Sequence, residues 1–553
     1  MDTRRLILVM IFAFSSFMLW ESWQKFNQPK PPADAAAITP AGGTPMPGSA
    51  APTPTANLQA AGSKPPAVAA VPSAAESFTV STDLVKATIS AQGGDIVQLE
   101  LLKYKENDNK DKTFLLFDPA HKYLAQSGLI GEGLPSHRNI FKRVAGPTEL
   151  AEGSNELKVR LEATAANGAK VAKILTFKRG SYVIDIAWEV ANASDKPLLS
   201  HAYFQVQRDD VAPAGESAMV MTFTGPAVFT DAEKYQKIDF ADITKDKAKF
   251  AKTADNGWLA MVQHYFVAAL VPPEKTPREF YMRKVEGVNA FQAGLIVPLA
   301  EIAPGATGQT SVSLFAGPQE QAALKKLAPG LDLVVDYGWL TVVAAPIFWA
   351  LEAIHSLVGN WGWAIVILTI IIKGIFFPLS AASYKSMAKM KVLTPRLMQL
   401  KERFGDDKQR LNQEMMKMYQ TEKVNPLGCC LPILVQIPVF IALYWVLLGA
   451  VEMRDAPWIL WIKDLASADP YYILPVIMII SMFVQTNLNP TPPDAIQAKV
   501  MMMMPFMFGI MFLWFPAGLV LYWVVNNVLS IAQQWQITRM IEGGSKAAND
   551  AKA

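Results

Sequence analysis

Between Trp361 and Pro378 the chain reads Trp-Gly-Trp-Ala-Ile-Val-Ile-Leu-Thr-Ile-Ile-Ile-Lys-Gly-Ile-Phe-Phe-Pro, apolar enough for a bilayer interior except at Lys373. Trp361 and Trp363 mark one membrane interface, and the basic run from Lys385 marks the other. Lys373 follows Trp363 by ten residues, roughly 15 Å of helix, which sets it near the midplane. A lysine there costs about 2.5–3.5 kcal/mol on insertion scales and points to a functional role. Two chemistries are open to it. It can serve as a fixed positive charge for an anionic group, or as a general base for Ser380, seven residues on along the same face. The third reading is a lysine whose stem snorkels towards the inner surface.

Polar companions stand at helix-compatible positions. Thr369 lies one turn before Lys373, Gln436 sits between Pro432 and Pro438, and Asn526 and Asn527 interrupt the last apolar segment. Polar groups in hydrocarbon need partners or water, so these residues suggest a shared hydrated cavity in the inner half of the membrane. Interhelical hydrogen bonding is the alternative for some of them. It leaves Lys373 unexplained, because no Asp or Glu lies inside any expected span.

The elements that position these residues follow from composition and pattern. The chain has 553 residues, 51% hydrophobic and 18% charged, too apolar for an ordinary soluble protein. A net charge of +3 gives no general affinity for nucleic acid. Cys429 and Cys430 are adjacent, a spacing for neither a structural disulfide nor a zinc site. Residues 1–21 read as an uncleaved signal anchor with Arg4 and Arg5 in the cytoplasm, a cleaved signal being the alternative. Residues 22–77, rich in Pro, Ala, Gly, Ser and Thr, form a tether. Residues 78–318 carry short alternating runs and turn signals, among them Gln92-Gly-Gly-Asp95 and Asn167-Gly168, and predict a large all-β sandwich outside the cytoplasm.

Residues 319–356 are expected to be a linker and an amphipathic helix lying in the outer interface, a choice made on charge parity. If that helix spanned, the loop 380–425, with ten basic residues against five acidic, would fall on the wrong side. Residues 357–379 form the second span. Two helical patterns joined at Gly405 make 380–425 a cytoplasmic hairpin, and 426–540 hold spans three to six, with the last pair turned at Phe515-Pro-Ala-Gly518. Residues 541–553 are a cytoplasmic tail. The fold class is thus a polytopic α-helical membrane protein with six spans, a five-helix core and a large all-β sandwich periplasmic domain.

No P-loop, HExxH or GxSxG occurs, and the spans hold neither an acidic relay nor broken half-repeats. The five histidines are scattered, so no metal site is expected. Ser386-Met-Ala-Lys389 matches S-x-x-K by spelling only, on a basic cytoplasmic helix. Met501–Met504 and Met507 form a pliable apolar surface for partners or for lipid. The other functional classes left are a membrane-embedded Ser/Lys hydrolase and a small-solute transporter.

Lys373-Gly-Ile-Phe-Phe-Pro-Leu, Ser386-Met-Ala-Lys-Met, Gly405-Asp-Asp-Lys-Gln, Lys423-Val-Asn-Pro-Leu-Gly, Gln436-Ile-Pro-Val-Phe440 and Leu513-Trp-Phe-Pro-Ala-Gly-Leu-Val-Leu-Tyr522 together resemble the YidC-type membrane protein insertases. The long β domain and first anchor resemble the Gram-negative form. The resemblance implies a non-enzymatic protein with no cofactor and no direct nucleic-acid partner. It also implies a positively charged groove open to cytoplasm and lipid and closed to the periplasm. Lys373 would be the groove charge, with Thr369, Gln436, Asn526 and Asn527 around it. Phe440, Tyr522 and Trp523 would line a hydrophobic slide along spans three and five. The hairpin, with Lys385, Lys389, Arg396, Asp406 and Asp407, would receive nascent membrane proteins. The implied partners are the Sec translocon, the ribosome or signal recognition components, and membrane lipids. Gram-negative members usually carry Arg where this chain has Lys373, and many carry Tyr at the position of Trp523. Since arginine cannot serve as a general base, the usual Arg argues against the hydrolase.

Overall fold

The computed structural model describes residues 76–106, 109–213, 222–404, 407–422, 431–489 and 495–550. The expected anchor 1–21, nearly all of the tether, Asp406, Cys429, Cys430, Pro490, Pro492 and Pro493 lie outside the described residues.

From Ser77 to Pro318 the chain forms two nine-stranded sheets, antiparallel throughout the paired strands. Alternation in the sequence becomes alternation in space. In Val85–Ser90, Val85, Ala87 and Ile89 turn into the sandwich, as do Ile184, Ile186, Trp188 and Val190 in Val183–Ala191. Gly93, Gly94 and Gly168 adopt positive φ at the expected turns, and the Asn167-Gly168 turn joins Glu156–Thr164 to Lys170–Lys178. Several strands break the alternation. Trp258–Gln263 and Phe266–Val271 are buried along nearly their whole length. Their second face is covered by Leu324, Leu331, Val334 and Val335 of the segment that leads to the membrane part. An ion pair, Lys173 Nζ to Asp95 at 3.6 Å, lies buried in the sandwich, with Lys173 also bonding Gly93 O at 2.9 Å.

Helix α1 (Phe240–Thr244) belongs to the sandwich and α2 (Gln321–Leu327) leaves it. The helical part then comprises α3 (Thr341–Val358), α4 (Trp361–Ile375), α5 (Phe377–Phe404), α6 (Lys408–Thr421), α7 (Leu431–Gly449), α8 (Ile473–Leu488), α9 (Ala495–Met511) and α10 (Ala517–Asp550). Helix α4 does not run through to residue 379 as expected. The axis bends by 66° between α4 and α5. Pro378 supplies the reason: it has no N–H for the carbonyl of Gly374, and its ring excludes continuation of the helix through that turn. It sits instead in the first turn of α5, where prolines are tolerated.

Helix α3 carries apolar residues on both its inward and its outward side. It packs Ala344, Phe348 and Leu351 inward, yet Val342, Trp349 and Leu357 on its outer side are apolar and exposed. At 18 residues and mean hydropathy 1.6 it has the length and composition of a span. On α8 and α9, Val476, Ile480, Val484, Met503, Met507 and Ile510 are exposed together, a continuous apolar surface that water would not tolerate.

Candidate functional site

The N-terminal ends of α4 and α10 are fixed first. Asn360 caps α4 through Trp363 N and donates to Pro457 O and Trp458 O at 3.1 and 3.2 Å. Gly362 lies directly against the Trp458 ring, where no Cβ would fit. Ala517 N and Gly518 N, in the first turn of α10, donate to Ser467 O and Leu465 O at 2.7 and 2.9 Å. The loop between α7 and α8 thus binds the ends of α4 and α10 and covers that side of the bundle.

The same loop docks on the sandwich. Val451 joins the sandwich core, and the Arg454 guanidinium lies over the Phe114, Tyr265 and Phe266 rings and donates to Lys105 O. Lys110 bridges Asp455 and Asp464 at 2.7 and 3.3 Å. Glu452 is turned towards α2, near Gln321 and Tyr337, and burial pushes its carboxyl up to about 7, with Glu320 and Glu352 adding in the same direction. Tyr104 donates to Glu320 at 3.0 Å, and His264 to Leu448 O at 3.0 Å.

Inside the bundle, Lys373 is buried, 6% exposed, in the last turn of α4. Its Nζ donates to Ser530 Oγ at 2.7 Å. Among the described residues no carboxylate pairs with it. The bond goes to α10 and not to Ser380, which the 66° bend carries onto α5. Four of the five expected groove residues meet around one stripe of α10. Gln436 of α7 donates to Asn526 Oδ1 at 2.8 Å. Asn527 donates to Ser481 of α8 at 3.1 Å. Two turns further along α10, Gln534 donates to Leu488 O and Asn489 Oδ1, both at 3.2 Å. Thr369 stands apart: buried on the Lys373 face, it spends its hydroxyl proton on Ile365 O of its own helix at 2.7 Å.

Ser530 is the residue that sequence reasoning missed. Its signal was the four-residue step from Asn526, which puts Asn526, Ser530 and Gln534 in one row.

Phe440 contacts both expected slide aromatics, Tyr522 at 6.1 Å and Trp523 at 4.7 Å between ring centroids, and Trp523 meets Phe512 at 5.7 Å. Phe440 and Trp523 are half-buried, whereas Tyr522 is 1% exposed with its hydroxyl towards Gln436. Tyr522 therefore joins the polar stripe to the aromatic cluster from within. Helices α5 and α6 form the hairpin. Lys385 and Lys389 are exposed, Arg396 pairs with Glu422 at 2.8 Å, and Asp407 caps α6 through Gln409 N and Arg410 N at 3.1 and 3.0 Å. Asp406 lies outside the described residues. Among the described residues no cluster of His, Cys, Asp and Glu could hold a metal ion.

Residues 77–350 match the family model of the YidC periplasmic domain, and residues 353–545 match that of the 60Kd inner membrane protein. A membrane protein insertase YidC of Dechloromonas aromatica (strain RCB) is 78% identical over the full length of both chains. Its counterpart in Aromatoleum aromaticum is 58% identical, again over the full length of both. A crystal structure of an active YidC insertase, with its first transmembrane domain resolved, is similar at TM-score 0.40 and 20% identity, over 84% of this chain and 92% of that one. With matches along both its β and its helical part, the chain belongs to the YidC family of inner membrane proteins.

Proposed function

We propose that the protein is a membrane protein insertase of the inner membrane and that Lys373 supplies the charge its groove offers to clients. The observation that carries this reading is a buried ammonium whose described partner is a neutral hydroxyl. A charge so placed acts at short range with little screening. At about 4 Å it attracts a carboxylate by roughly 4 kcal/mol at an effective dielectric of about 20, against about 1 kcal/mol in water. Acidic translocated tails and loops of nascent membrane proteins are the chemistry that fits. The bonds holding the stripe closed, such as Gln436 to Asn526, are neutral contacts of about 0.6 kcal/mol each between membrane helices. An entering polar segment can replace them at little cost. Its apolar segment then leaves past Phe440 and Trp523 into lipid. No bond is made or broken, and the protein acts without a cofactor.

The topology that serves this reading has six spans, with α3 in the outer interface, both termini cytoplasmic and the sandwich in the periplasm. Charge parity supports it: Lys385, Lys389 and Arg396 then face the cytoplasm. The hairpin receives clients there, with the ribosome or signal recognition components and the Sec translocon as further partners. The test is insertion into proteoliposomes of a small two-span client with an acidic translocated loop, scored by protease protection. Lys373→Arg is expected to insert at the wild-type level and Lys373→Ala to lose about tenfold, the size of one charge-assisted contact. Full insertion by Lys373→Ala would overturn the reading.

A further inference from the structure

We infer that Ser530 is the positioning residue for the groove charge, an inference that rests on the reading of Lys373 given above. The inventory of a serine hydroxyl is one proton and two lone pairs. The proton of Ser530 goes to Asn526 O at 2.7 Å, one turn back along α10. One lone pair accepts Lys373 Nζ at 2.7 Å. The hydroxyl of Tyr384, on α5, also lies beside Ser530. Ser530 is buried, 2% exposed.

The consequence is directional. A lysine side chain has four rotatable bonds and no planar fork of its own, so its head goes where an acceptor holds it. Here the acceptor stands on α10 beside Asn526, which also receives Gln436 from α7. The ammonium is thereby fixed where α4, α7 and α10 meet, instead of snorkelling along the stem towards the hairpin. Ser530 takes one of its three N–H groups, and among the described residues no other bond is made by the rest, which serve the carboxylate of a client. Ser530 thus sets the position of the charge and contributes none itself.

The test uses the full chain in proteoliposomes and a single-span client whose translocated tail carries either two Asp or two Asn. Ser530→Ala is expected to lower insertion of the Asp-tailed client about tenfold and to leave the Asn-tailed client unchanged. Ser530→Thr, which keeps the hydroxyl, is expected to restore insertion. Adding Ser530→Ala to Lys373→Ala should cause no further loss, because the two act through one charge. Equal loss for both tails, or an additive loss in the double variant, would assign Ser530 a merely structural role and overturn the inference. So would wild-type insertion by Ser530→Ala while Lys373→Ala fails, an outcome that leaves the groove reading standing. Full insertion of the Asp-tailed client by Lys373→Ala would instead remove that reading and the positioning role with it.

Discussion

Lys373 and Asn527 lie within one bundle, yet their partners give them different work. Asn527 donates to Ser481 at 3.1 Å, a neutral pair across two helices. Such a pair holds helices together and has no unfilled demand. Replacing Asn527 with Ala is expected to cost under about 1 kcal/mol of stability and to leave insertion of acidic clients at the wild-type level. Thermal unfolding in detergent and the proteoliposome assay check the two halves of that statement. Lys373 was legible in the sequence because a charge in an apolar run has no other explanation than function or snorkelling. Gln436, Asn526 and Asn527 stood out for the same reason, as amides in hydrocarbon. Ser530 did not, since a serine in a membrane helix ordinarily satisfies itself on its own backbone. It does so here, and the lone pair it keeps for Lys373 is a fact of packing. Tyr522 was legible as an aromatic of the last span, but its burial between Gln436 and Phe440 was not.

At the scale of elements, periodicity located the strands and the apolar helices well, because each has a face that must leave water. The bend after Ile375 was harder to read. Phe376-Phe377-Pro378 looked like the end of one helix, and the structure makes it the junction of two, 66° apart. Whether α5 continues a span or turns across the bundle depends on what it packs against, and no local propensity encodes that. Gly362 makes a related point. Trp361 and Trp363 read as interface markers and the glycine between them had no reading of its own, whereas its missing Cβ lets α4 lie against Trp458. Gly362→Ala is expected to destabilise the bundle by about 1–3 kcal/mol through overpacking, measured by thermal unfolding in detergent. Shortening the opposing side chain as Trp458→Leu in the same molecule should recover part of that loss. An unchanged midpoint in Gly362→Ala would show that the two elements move apart freely.

At the scale of the whole molecule, one loop serves both parts. Residues between α7 and α8 hold the N-terminal ends of α4 and α10 and, through Val451, Glu452 and Arg454, grip the sandwich. The change from alternating to long apolar runs was legible in the sequence, but the docking of the β part on the bundle was not, because it depends on buried charges far apart in sequence. Glu452 makes that docking sensitive to pH. Its carboxyl is pushed up to about 7 from an ordinary 4.5, first by burial and then by Glu320 and Glu352. The docked state therefore binds a proton that the undocked state releases, so docking is strongest below about pH 4.5 and weakens as pH rises to about 7. Spin labels placed across the interface on the full chain are expected to show more separated distances at pH 8 than at pH 5. Glu452→Gln, which stays neutral, should abolish the difference. A distance distribution that ignores pH in the unsubstituted protein would contradict this role for Glu452.

The central claim is that the sign of the charge at position 373 selects the client, and reversing both signs tests it most directly. Wild type and Lys373→Glu would be compared in proteoliposomes with one single-span client carrying either two Asp or two Lys in its translocated tail. The account predicts that wild type inserts the Asp tail in preference and that Lys373→Glu inverts the preference, with the Lys tail rescued. The same preference in both proteins would contradict it.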